Sequence, residues 1–123
     1  MNESKRKQTD SYFADQISRC TTLAQQLSGD ARDDEAIFAK IQMNVYDIFR
    51  AVFAAATKTA GQDDEKVVEF FLTKLQQIPR GWHHSLANAT QHGDSSKAHI
   101  EQIKLDTAAQ IKAAFEQIWE EAT

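Results

Sequence analysis

The sequence predicts an all-α protein, an up-and-down four-helix bundle with a short extra helix in the 80–94 connection, and three observations carry the prediction. Apolar residues recur at spacings of three and four along most of the chain, the period of one helix face. One proline and four glycines in 123 residues are too few for the tight turns of an all-β domain. Strand-type alternation of apolar and polar residues is missing throughout.

Over Asp10–Leu27, the residues Phe13, Ile17, Cys20, Ala24 and Leu27 share one helix face, which Tyr12 and Leu23 widen. Thr9 or Asp10 is the expected N-cap and Gly29 the expected left-handed residue past the end. Residues 1–8 are expected to fray. Acidic residues between Asp30 and Asp34 suit the start of the next helix, where they cap free N–H groups and complement the dipole.

That next helix organises the rest. Across Ala36–Ala56, Ile37, Phe38, Ile41, Val45, Ile48, Phe49, Val52 and Phe53 form a stripe too broad for one neighbour, with Tyr46 and Met43 at its edges. It should run to Thr59 or Ala60 and stop before Gly61. Gln62, Asp63 and Asp64 then punctuate the chain as before, and a third helix follows with Val67, Phe71, Leu75 and Ile78 on one side. Pro79 ends or redirects it, since proline lacks the N–H and disfavours a helical residue before it.

Within Arg80–Asp94, Trp82, Leu86 and Ala89 predict a short amphipathic helix closed by Gly93. The last helix, Ser96 to Glu121, places Ile100, Ile103, Thr107, Ile111, Ala114 and Ile118 inward, with Glu101, Lys104, Gln110 and Lys112 on its far side. No repeat or linker divides the chain, so residues 1–123 are expected to form a single helical domain.

A formal charge of −4 opposes attraction to nucleic acid, whose binding draws on clustered Lys and Arg. The one basic run, Lys5-Arg6-Lys7, sits beside Glu3 and reads as a solubilising terminus. Cys20 stands alone, which leaves no intramolecular disulfide. No apolar stretch reaches membrane-spanning length, because Lys40, Asn44, Asp47 and Arg50 interrupt the longest one. The N-terminus carries no signal-peptide core, and a soluble cytoplasmic protein is the expectation.

The residues with most chemical promise are His83, His84, His92 and His99. Helical zinc ligands need spacings of three or four to converge on one ion. His83 and His84 are adjacent and diverge by about 100°, and Gly93 separates His92 from His99, so solvated histidines at a helix end are expected rather than a metal site. His84-Ser85-Leu86, followed by Ala87 and Asn88, resembles the motif of histidine phosphotransfer domains, which are helical bundles of this size. The resemblance covers five residues and implies His84 as a phosphorylated imidazole. The family places a lysine and then a small residue after His-x-Leu, and Ala87 and Asn88 depart from that pattern.

Asp33-Asp34-Glu35 and Asp63-Asp64-Glu65 fall at helix starts, where capping and dipole effects account for them. Cys20 belongs to an apolar stripe and reads as a core residue. No catalytic set, no metal set and no cofactor is called for. The functional expectation is therefore a non-catalytic protein-interaction module that also binds its own copies, a dimer being favoured. Tyr46, Phe49, Phe53 and Trp119 are the expected interface, and Trp82 with the four histidines a second functional surface. The alternatives are a histidine-centred phosphotransfer or metal-binding bundle, and a bundle enclosing a small apolar ligand.

Overall fold

The computed structural model describes residues 1–120, and within them every regular element is a helix. These are α1 (Glu3–Gly29), α2 (Asp33–Ala60), α3 (Asp64–Gln77), α4 (Pro79–Gln91) and α5 (Ser95–Trp119). The expected end of the last helix, at Glu121, lies outside the described residues.

The N-terminal helix starts at Glu3, capped by the Asn2 side chain, which accepts from Lys5 N at 3.0 Å. Fraying over residues 1–8 is replaced by three polar anchors. Arg6 donates from Nε and Nη2 to Asp64 Oδ1 at 3.2 and 3.0 Å, which ties α1 to the first turn of α3. Lys5 Nζ reaches the carbonyl of Trp119 at 3.5 Å. Thr9 is buried, donates to Lys5 O at 2.8 Å and accepts from the indole Nε1 of Trp119 at 2.9 Å.

α1 ends in a Schellman motif: Arg32 N bonds Leu27 O at 2.8 Å and Ala31 N bonds Ser28 O at 3.2 Å. The left-handed residue is Ala31, with φ 59°, and not the expected Gly29. The same motif closes α4, where Asp94 N bonds Ala89 O at 2.9 Å and Gly93 N bonds Thr90 O at 3.2 Å, and there Gly93 takes φ 69°. Asp63 and Asp94 cap α3 and α5, accepting from Lys66 N and Lys97 N. α2 differs, since Arg32 at its N-cap makes no capping bond to the backbone; its guanidinium pairs with Glu35, and Asp33, Asp34 and Glu35 complement the dipole.

Pro79 redirects less than its chemistry suggests. Ile78 keeps helical dihedrals (φ −60°, ψ −45°) and bonds Lys74 O at 2.9 Å, so α4 begins immediately with Pro79 at its first turn, a position proline tolerates. Arg80 and Gly81 are helical rather than part of a break.

The core is a set of phenylalanines contributed by four helices. Phe13 of α1, Phe49 and Phe53 of α2, Phe71 of α3 and Phe115 of α5 are all buried. Phe71 is their hub: it stacks on Phe115 at 4.2 Å between centroids and meets Phe13, Phe49 and Phe53 edge-on or tilted at 5.9 to 6.1 Å. Such geometries add about 0.5–1.5 kcal/mol per pair beyond area burial. Val45, Val67 and Ile111 are fully buried among them.

Candidate interaction surface

The expected interface aromatics belong to this core. Tyr46, Phe49 and Phe53 are 4%, 0% and 1% exposed. Phe71 and Phe115 cover Phe53, the Trp82 ring closes over Phe49 at 6.3 Å, and Tyr12 meets Tyr46 at 6.1 Å. The Tyr46 hydroxyl bonds Gln110 Oε1 at 3.2 Å. Trp119 is half-buried, held by Thr9 and packed 6.3 Å from Phe53. Burial pushes both phenols above their ordinary range, Tyr12 further because Tyr46 adds to the cost of its charge. Cys20 is also buried, and burial raises its thiol pKa, which keeps it a protonated core residue.

The histidines are exposed and scattered. His92 donates through Nδ1 to Asn88 O at 2.8 Å, a local bond at the end of α4. His99 sets its ring edge-on to Phe38, 4.5 Å away. His83 stands at the rim of an open cleft of about 750 Å3 lined by Leu72, Leu75, Pro79, Leu86 and Leu105. His84 is exposed on α4 and makes no hydrogen bond or ion pair among the described residues. No three His, Cys, Asp or Glu side chains come together as a metal site among the described residues. Trp82 is half-buried and belongs to the core edge, with Lys104 Nζ 6.0 Å from its ring centroid.

Glu101 is a residue whose place the periodicity misassigns. Instead of facing solvent it is 6% exposed; one carboxylate oxygen accepts from Lys104 Nζ at 3.3 Å and the other, Oε2, is buried without a hydrogen-bond partner. Lys104 is half-buried with it. An ionised pair in this position is a cost to the fold rather than a gain, unless further donors meet the second oxygen.

Besides Met1 and Leu23, the large apolar residues left open lie on the outer side of α2. Ile37 and Ile48 are 48% and 40% exposed, and Ala51 and Ala55 are exposed beside them. With Ile41 and Asn44 they recur at fours and threes, so they line one straight face of the helix. The opposite face, Ala39, Tyr46, Phe49, Phe53 and Ala56, is buried. The broad stripe seen in the sequence is therefore two sets of residues, one for each side, and the two interleaved runs of fours and threes were the available signal. Along the outer set run charges: Asp47 pairs with Arg50 of its own chain, while Lys40 has no ion-pair partner among the described residues.

Comparison of the chain with protein-family models, with curated proteins and with solved structures gives no match. No helix among the described residues is long and apolar enough to cross a membrane.

Proposed function

We propose that this chain is a soluble, non-catalytic interaction module of the cytoplasm, an up-and-down four-helix bundle in which α3 and α4 together serve as one rod, and that it binds protein through the outer face of α2. A second copy of the chain is its first partner. The observation that carries the reading is the pair of large exposed aliphatics, Ile37 and Ile48, aligned on a helix whose inner face is already fully used by the core. Single exposed apolar residues are ordinary, but aligned ones over several turns mark a contact surface.

Sedimentation velocity over a concentration series tests this reading. A weight-average sedimentation coefficient that rises with concentration through the micromolar range supports it. A constant monomer value up to high micromolar concentration removes the self-association.

A further inference from the structure

Resting on the proposed self-association, we infer that two copies join through α2 packed antiparallel on α2, with the two-fold axis passing beside Asn44. The residues Ile37, Ile41, Asn44, Ile48, Ala51 and Ala55 follow successive steps of four and three, the seam of a coiled-coil contact rather than a mere patch. An antiparallel pairing centred on Asn44 sets Ile37 against the partner's Ala51 and Ile41 against the partner's Ile48. Large then meets small at the ends, and isoleucine meets isoleucine on either side of the centre. The alanines permit close approach of the two backbones, and the amides of the two Asn44 side chains face each other, where each can donate to and accept from the other.

Charge selects the antiparallel arrangement over the parallel one. Lys40 and Asp47 lie on the same flank of the seam, seven residues apart, and both are exposed. In the antiparallel pair Lys40 of each copy stands beside the partner's Asp47, which gives two symmetric ion pairs and supplies the counter-charge that Lys40 lacks among the described residues. A parallel pair would put Lys40 beside the partner's Val45 and Asp47 beside the partner's Val52, with no opposite charge at either. An interface of one helix per copy is at the small end of specific contacts, so a micromolar, exchanging dimer is the expected product. Asn44 at the centre fixes the register at some cost in affinity.

The test uses the full chain in a Cys20→Ala background. Asn44→Cys should form a disulfide-linked dimer on mild oxidation far faster than Gln25→Cys, an exposed position on α1 that serves as control. Lys40→Glu and Asp47→Lys should each weaken association by about tenfold, since two symmetric contacts are lost at once. The double variant should return to within about threefold of the parent. Dimers by sedimentation without preferential Asn44→Cys cross-linking, or without rescue in the double charge variant, would overturn this geometry and leave self-association standing. A strict monomer would overturn both.

Discussion

The two faces of α2 differ in what their residues are for. The inner face carries Tyr46, Phe49 and Phe53, aromatic, sealed and engaged with rings from α1, α3, α4 and α5. The outer face carries Ile37 and Ile48, aliphatic and open to solvent. Aromatic bulk would be the first choice for an interface anchor on general grounds, yet Tyr46, Phe49 and Phe53 of this helix are all spent on the core. The surface that is left over is smaller and less conspicuous, and its regular spacing rather than its bulk marks it.

If that division holds, substitutions on the two faces separate stability from assembly. The largest effect belongs to the hub of the inner set: Phe71→Ala removes a ring in contact with four others and should cost about 3–5 kcal/mol in urea or guanidinium unfolding. Alkaline pH should act on the same side. The unfolded chain releases the tyrosine protons near the ordinary value of 10.0, whereas burial holds those of Tyr12 and Tyr46 longer in the fold. Stability is therefore level below that value and falls as pH rises past it, and Tyr12→Phe should flatten the fall.

A smaller effect with the opposite sign is expected at the turn leading into α2. Ala31 occupies at φ 59° the place that Gly93 fills in the matching motif after α4. Ala31→Gly relieves that conformation and should raise stability by about 0.5 kcal/mol, the strain relieved exceeding the added chain entropy of glycine only slightly. On the outer face, Ile48→Lys keeps an aliphatic stem over the helix and should leave unfolding within about 0.5 kcal/mol of the parent. Its effect should appear in association alone.

Much of the fold was legible in the sequence because the 3.6-residue period survives in every helix. The order of the helices and the inward residues Phe13, Phe71 and Ile111 follow from it. The first turns of α1 were not legible, since they are held by polar side chains: Arg6 finds Asp64 and Thr9 finds Trp119, pairings that only the folded chain brings together. Glu101 escaped for a related reason. Its charge argues for solvent, and its burial and its bond to Lys104 depend on how α5 is rotated. The candidate surface was half-legible, because a helix apolar on both sides presents one broad stripe, and hydrophobicity alone does not say which residues the neighbours will cover.

Whether the outer face of α2 joins two copies of this chain is read from sedimentation velocity of the parent beside Ile48→Lys. The parent should show a concentration-dependent monomer–dimer boundary and the variant a monomer at every concentration, with equal unfolding midpoints at concentrations where both are monomeric. A parent that stays monomeric, or a variant that dimerises as well as the parent, would contradict this interface.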